Sequence, residues 1–125
     1  MRKILATWIF ALFASPANAA NLYISEYGSV GTSVYATGGS GGVLEVGQEP
    51  SLQQPVLSYS GGAASSQPFG SNTHYVRIIC DTQCSVKFGA IGQSAPTNAN
   101  MPLAALSPEY FGVTPGQIVS VISNP

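Results

Sequence analysis

The chain has 125 residues and a formal net charge of −1, and only 7% of its residues are charged, against about 25% in typical soluble proteins. Only two cations, Arg77 and Lys87, follow the first twenty residues, which is too few to neutralise a run of phosphates and disfavours nucleic-acid binding. The hydrophobic content of 45% disfavours intrinsic disorder, because disordered chains combine low hydrophobicity with high net charge.

The N-terminus has the pattern of a secretory signal peptide. Arg2 and Lys3 precede an uncharged apolar run at 4–14, and the small-residue motif Ala-Asn-Ala at 17–19 follows. We predict a signal peptide over 1–19 that is cleaved after Ala19 or one residue later; an uncleaved anchor is the alternative. The apolar run is shorter than the ~20 residues that a membrane span needs, and no second run follows, so we expect no stable membrane span and a secreted or periplasmic protein.

Residues 20–125 are predicted to form a single β domain. Helical periodicity is nearly absent, whereas short apolar stretches alternate with Gly- and Pro-containing turns. Seven to nine short antiparallel strands indicate an all-β fold, either a small sandwich of jelly-roll or Ig-like type or a small barrel. The predicted strands cover 22–27, 33–36, 43–46, 55–59, 74–80, 84–89, 101–106, 110–113 and 118–122, with a Gly-rich connection at 38–42 and a polar loop at 61–71.

Cys80 and Cys84, the only cysteines, bracket a three-residue loop. If the flanking strands form a hairpin in which these residues are opposed, their Cα atoms lie within the range that a disulfide bridges, and the leader predicts an oxidising compartment. We therefore predict a Cys80–Cys84 disulfide; two reduced, buried thiols are the alternative. The same register places apolar side chains together on one face: Val76 and Ile78 with Val86 and Phe88.

That register also places Arg77 directly opposite Lys87 on the other face. Like charges in this position repel each other, so an acidic group is expected over them, from Glu45, Glu49, Glu109 or another subunit. We consider an anion-binding or subunit-contact patch at Arg77 and Lys87. The alternative is an intrachain salt bridge or simple solvation of two long side chains.

No catalytic constellation stands out, and we expect no enzyme activity, cofactor or metal. A Ser–His–Asp set can be written from Ser71 or Ser85, His74 and Asp81, but neither of these serines stands in a G-x-S-x-G motif. Two cysteines and one histidine are too few for a tetrahedral zinc site. The tyrosines could instead form a surface for a glycan or a protein, although Tyr is equally common as a half-buried strand residue.

A series of short motifs follows the predicted strands: NLYISEY at 21–27, VRIICDTQCSVKFG at 76–89, MPLAA at 101–105, PEYFGV at 108–113, TPG at 114–116 and IVSVI at 118–122. In these motifs the chain resembles small β proteins encoded beside capsid or tail genes of tailed bacteriophages and prophages. The resemblance covers roughly residues 20–30 and 74–123. It implies a non-enzymatic virion decoration (capsid accessory) protein that contacts a capsid-type surface; this chain differs from such proteins in carrying a leader. The alternative is a secreted or periplasmic β-sandwich module that recognises a glycan or a protein.

The last strands predict self-association as well. They are too apolar for strands with one freely solvated face, and either both sheets cover them or a neighbouring subunit does. We therefore expect a homo-oligomer, with a homo-trimer as the hypothesis. The strands in question carry Phe111, Val113, Ile118, Val119, Val121 and Ile122.

Overall fold

The computed structural model of the protein describes residues 19–32 and 43–125, and all regular elements there are β-strands. Residues 1–18 of the predicted signal peptide at 1–19, the predicted strand at 33–36 and the Gly-rich connection at 38–42 lie outside the described residues. The strands are β1 Asn21–Tyr27, β2 Val30–Thr32, β3 Val43–Gly47, β4 Val56–Ser58, β5 Ala64–Ser65, β6 Tyr75–Cys80, β7 Cys84–Gly89, β8 Met101–Leu103, β9 Glu109–Gly112 and β10 Ile118–Ser123.

Eight of these strands form two four-stranded antiparallel sheets. The first sheet has the order β4-β1-β6-β9, the second has the order β5-β10-β7-β8, and β2 pairs with β3 separately. The all-β prediction is confirmed, and the arrangement is a small β-sandwich without a closed barrel in the described residues. No described segment is a helix of the length and apolarity needed to cross a membrane.

The core lies between the two sheets, as the alternating pattern of β6 predicts. In β6 every second side chain is buried, and β1 and β10 contribute further buried side chains. Side chains of period two point to opposite faces of a sheet, so the apolar set of each strand faces the other sheet. The core cluster is Ala20, Leu22, Ile24, Tyr59, Phe69, Val76, Ile78, Cys80, Cys84, Val86, Leu103, Val119 and Val121.

The predicted hairpin of β6 and β7 is wrong. β6 pairs with β1 and β9, whereas β7 pairs with β10 and β8 in the other sheet. The short connection crosses the sandwich because its ends are held by different strands. Asp81 exchanges hydrogen bonds with Asn21 at the start of β1 (Asn21 N to Asp81 Oδ1 2.7 Å), and Asn124 N, after β10, donates to Gln83 O at 3.1 Å.

The predicted disulfide is nevertheless present. Cys80 and Cys84 are bonded with a Cα–Cα distance of 6.3 Å, and both residues have no exposed surface. Their alternation was predicted correctly, because both face the core, but they face it from opposite sheets. The disulfide therefore links the two sheets at one end of the sandwich.

The chain changes sheets again between β9 and β10, at the turn predicted for residues 114–117. Gln117 N donates to Thr114 O at 3.1 Å, and Gly116 has a φ of 82°, the positive value that a type II turn requires at its third position. Val119 and Val121 in β10 are completely buried and Ile118 is 5% exposed. Packing within the chain thus covers much of the apolar surplus that suggested an oligomer.

A buried carboxylate holds the loop between β5 and β6. Glu26, in β1, is 3% exposed, and its Oε2 accepts hydrogen bonds from Thr73 Oγ1 at 2.6 Å and from Gly70 N at 3.0 Å. These bonds supply the partners that a buried charge requires. The segment at 61–71, predicted as a loop, also contains β5, which pairs with β10 through two residues.

Candidate interaction surface

The outer face of the first sheet carries apolar and aromatic side chains across adjacent strands. Tyr23 in β1 lies directly opposite Val56 in β4 on one side and Ile79 in β6 on the other. Tyr23 is 45% exposed and Val56 is 59% exposed. Arg77 and Tyr110 follow one step along the same face, where they are also directly opposed. We call Tyr23, Val56, Ile79, Arg77 and Tyr110 the Tyr23 face.

This face exists because the outward-facing positions of these strands, like the inward-facing ones, carry β-branched and aromatic side chains. β-branched and aromatic residues are preferred in strands and pack against directly opposed neighbours. In an antiparallel sheet with one solvated face, the outer positions are usually polar. Here the row of Val56, Tyr23 and Ile79 has no charged member, which is a departure from that pattern.

Arg77 is the charged residue of the Tyr23 face, and it is half-buried. It donates from its terminal nitrogen Nη2 to Ser25 Oγ at 3.4 Å. Its Nε is buried and has no hydrogen-bond partner within the described part of the chain. An unsatisfied buried donor costs about 1–3 kcal/mol, so the position of Arg77 on this face is not optimal for stability.

One end of the outer face is covered by the chain itself. Tyr27 is 2% exposed, Gly47 at the end of β3 packs closely against its ring, and its hydroxyl donates to Glu49 Oε1 at 3.0 Å. Burial, and then the hydrogen bond to the Glu49 carboxylate, raise the pKa of Tyr27 above 10.0, while Ser25 and the positive charge of Arg77 act in the opposite direction. Tyr27 is therefore part of the packed structure rather than of the open surface.

A second tyrosine, Tyr75 in β6, adjoins Tyr110 of the Tyr23 face. The rings of Tyr75 and Tyr110 are stacked, with centroids 5.9 Å apart and an interplanar angle of 23°. Both side chains are half-buried. The stacking fixes the orientation of the Tyr110 ring beside Arg77.

Lys87 does not lie beside Arg77. Lys87 is in β7 on the outer face of the second sheet, opposite Ser120, so the predicted like-charged pair is wrong. The register failed because β6 and β7 belong to different sheets. The anion-binding or subunit-contact role of Arg77 and Lys87 stays a prediction, now for two separate places.

Lys87 takes part in holding a surface loop instead. Its Nζ donates to Ser94 Oγ at 2.8 Å, and Gln93 Nε2 donates to Lys87 O at 3.1 Å and to Ser120 Oγ at 3.0 Å. Ser120 is completely buried although it lies on the outer face. The loop after β7 thus covers part of the second sheet, and Lys87 is one of its anchors.

The acids considered as partners of these cations have other positions. Glu49 accepts hydrogen bonds from Tyr27 and from its neighbour Ser51 N. Glu109 lies in β9 opposite Ile78, on the face opposite to that of Arg77. The side chain of Glu45 lies outside what the structure describes.

The residues considered for a Ser–His–Asp set are not brought together. His74 precedes β6 and Asp81 follows it, so the length of this strand, about 20 Å for six residues, separates them. Ser85 is completely buried and accepts a hydrogen bond from Asn124 Nδ2 at 2.8 Å. Among the described residues, no group of three or more His, Cys, Asp or Glu side chains could hold a metal ion.

One cleft lies beside the start of β1 and the end of β10. The sequence pattern does not reveal it. Its volume is about 350 Å³. Tyr59 is buried beside it and donates from its hydroxyl to Thr82 O at 2.9 Å. The lining residues are Ala20, Tyr59, Ser60, Thr82, Gln83, Ser123 and Pro125.

Comparison with other proteins leaves the function to be argued from these residues. No protein-family model, curated protein or solved structure matches this chain.

Proposed function

We propose that this protein is a secreted or periplasmic, non-enzymatic β-sandwich that attaches to the surface of another protein through the Tyr23 face. The role is similar to that of a virion decoration protein, and the partner is a capsid-type surface made of repeated protein subunits. The leader determines the address, and the attached protein would be found with the virion.

The exposed row of Val56 and Tyr23 is the observation that carries this proposal. Isolated exposed apolar residues are common on protein surfaces, but these two are directly opposed on neighbouring strands and continue into Ile79. Protein interfaces are enriched in Tyr and Arg and depleted in Lys, Glu and Asp at their centres. The Tyr23 face has this composition, with Arg77 as its one charge.

The test is the amount of the protein in purified phage particles from the strain that carries the gene. We expect the wild-type protein in a fixed ratio to the major capsid protein, and at least a tenfold loss in a Tyr23→Ser/Val56→Ser double variant. Truncating a hot-spot residue near the centre of an interface costs about 2 kcal/mol or more, which is sufficient for a tenfold loss. Ile91→Ser is the matched control, because Ile91 is 70% exposed and lies outside the Tyr23 face. Equal occupancy by the wild-type protein and the double variant would contradict the proposal.

A second candidate is a module that binds a glycan, and the stacked Tyr75–Tyr110 pair favours it. A sugar ring packs on an aromatic face, and Arg77 beside Tyr110 offers hydrogen-bond donors to hydroxyl or acidic groups. A glycan array separates the candidates. Binding of a defined glycan that is lost in Tyr110→Ala but kept in Ile91→Ser would support the module and replace the capsid-type partner.

Self-association through the same face is tested by light scattering. A trimer at micromolar concentration that becomes a monomer in the Tyr23→Ser/Val56→Ser variant would show that the face joins copies of this chain. A wild-type monomer would leave the face available for a different protein.

A further inference from the structure

The contacts of Ala20, the residue directly before β1, bear on where the predicted leader is cleaved. Ala20 is 9% exposed and belongs to the core cluster. Its N–H donates to Ser60 Oγ at 2.8 Å, and its carbonyl accepts a hydrogen bond from Tyr59 N at 2.8 Å. Ala19, in contrast, is exposed. The boundary between surface and core therefore falls between Ala19 and Ala20.

We propose that the bond cleaved during export is Ala19–Ala20, and that the new α-amino group of Ala20 is a structural donor at the terminal cleft. This inference rests on the proposed secretory address. It decides between the two cleavage positions that the leader allows.

The contacts of the next peptide bond argue against cleavage one residue later. The Ala20–Asn21 amide has its carbonyl bound by Tyr59 N and its N–H bound to Asp81 Oδ1 at 2.7 Å. Asn21 Nδ2 also donates to Asp81 Oδ2 at 3.1 Å. Cleavage of this bond would remove the carbonyl that Tyr59 N binds, so a product that begins at Asn21 would fold without this contact.

Loss of Ala20 would also damage the fold. Tyr59 is 1% exposed, and its N–H would lose its acceptor if the chain began at Asn21. An unsatisfied buried N–H is costly, and the buried methyl group of Ala20 would be lost as well. A chain that begins at Ala20 keeps both contacts.

Cleavage at Ala19–Ala20 conserves the hydrogen bond to Ser60. Hydrolysis adds water across the amide, so Ala19 leaves with a carboxylate and Ala20 keeps its nitrogen as an amine that takes up a proton. An ammonium group has three donors where the amide had one. One of them replaces the N–H that donates to Ser60 Oγ, and Ala20 itself lines the cleft.

The sequence motif agrees with this position. Cleavage after Ala19 places Ala17 and Ala19 in the two small-residue positions of the A-x-A signature. Cleavage after Ala20 would place Asn18 in the first of these positions, and its side chain is larger and polar. Ala17 and Asn18 lie outside the described residues, so this step is argued from the sequence alone.

The first test is the N-terminus of the exported protein, measured by intact mass and N-terminal sequencing after expression of the full chain in a secreting bacterium. We expect a chain that begins at Ala20. A chain that begins at Asn21 would overturn the inference. Retention of Met1 would overturn the secretory address together with this inference, and it would leave the binding tests of the Tyr23 face unaffected.

The second test measures the protection of the new amine. After cleavage, the chain holds two amines, the α-amine of Ala20 and Nζ of Lys87, so Lys87 serves as an internal reference. We expect acylation by N-hydroxysuccinimidyl acetate at Ala20, relative to Lys87, to be roughly five- to tenfold slower in the folded protein than in urea, a factor that corresponds to one hydrogen bond.

Ser60→Ala distinguishes a specific hydrogen bond from general crowding. We expect this variant to lose most of the protection at Ala20, while Ser71→Ala, which changes an exposed serine in the loop before β6, keeps it. Equal acylation rates in the folded and unfolded wild-type protein, or full protection in Ser60→Ala, would overturn the structural role of the amine.

Discussion

Reduction of the Cys80–Cys84 disulfide is expected to destabilise the domain by about 2 kcal/mol. The bond joins residues four positions apart, so it closes a loop of only about five residues. The loop-entropy relation gives about 7 cal/mol/K for this length, or about 2 kcal/mol at 25 °C, compared with about 3 kcal/mol for a fifteen-residue loop. The freed thiols stay in the core as small apolar groups, so no large additional cost is expected.

The assay is equilibrium urea unfolding followed by far-UV circular dichroism, with and without a phosphine reductant. For an m-value of about 2 kcal/mol/M, the midpoint should fall by about 1 M. The double variant Cys80→Ala/Cys84→Ala is the control, and its midpoint should not respond to the reductant. An unchanged midpoint in the reduced wild-type protein would refute the assignment of this stability to the cross-link.

The rate of reduction gives a second measure of the same feature. Both cysteines have no exposed surface, so a thiolate or phosphine reaches the sulfurs only when the sandwich opens. We expect the rate of thiol release, trapped with iodoacetamide, to rise with urea in parallel with the unfolding rate. Fast release in the native protein without urea would show that the link between the sheets opens locally.

Three further changes test the packing around β1. Tyr27→Phe should flatten the loss of stability above pH 10: the raised pKa of Tyr27 contributes stability below its ordinary value, and this contribution is lost as pH rises through the folded pKa. Urea midpoints between pH 8 and pH 11 measure this, and identical slopes in both proteins would contradict it. Glu26→Ala should cost about 3 kcal/mol, because Thr73 Oγ1 and Gly70 N lose their acceptor, whereas Glu26→Gln keeps an oxygen there and should cost about 1 kcal/mol; equal midpoints for the two variants would contradict this account. Gly47→Ala should cost about 1–3 kcal/mol, since the added methyl overlaps the Tyr27 ring, and thermal unfolding of Gly47→Ala in the Tyr27→Ala background should show a much smaller additional effect.

Local alternation along the chain was sufficient to predict which side chains of β6 and β7 face the core. The period-two pattern of Val76, Ile78 and Cys80 assigns their face without any knowledge of neighbouring strands. The disulfide was predicted from a hairpin register that the structure contradicts, and it forms because both cysteines face the core from opposite sheets. The strand partners did not follow, since alternation specifies a face and not the neighbour that shares it.

The remaining features depend on contacts between distant parts of the chain. β5 has only two small residues and exists through its pairing with β10, so no local signal marks it. The Tyr23 face arises because β4, β1 and β6 become neighbours, although Val56 and Ile79 are far from Tyr23 in the sequence. The spacing that placed Lys87 beside Arg77 assumed a hairpin, and the hydrogen bonds of Asp81 to Asn21 favour a crossing instead.

The position of β10 has a consequence for when the domain can fold. β10 is the last strand that the structure describes, yet it lies inside the second sheet between β5 and β7, and β5 has no other strand partner among the described residues. The second sheet therefore cannot be completed until β10 has been synthesised, and it requires pairing over long sequence separations, which is slow. Until then β5 and β7 lack the strand that joins them, and the core between the two sheets lacks Val119 and Val121.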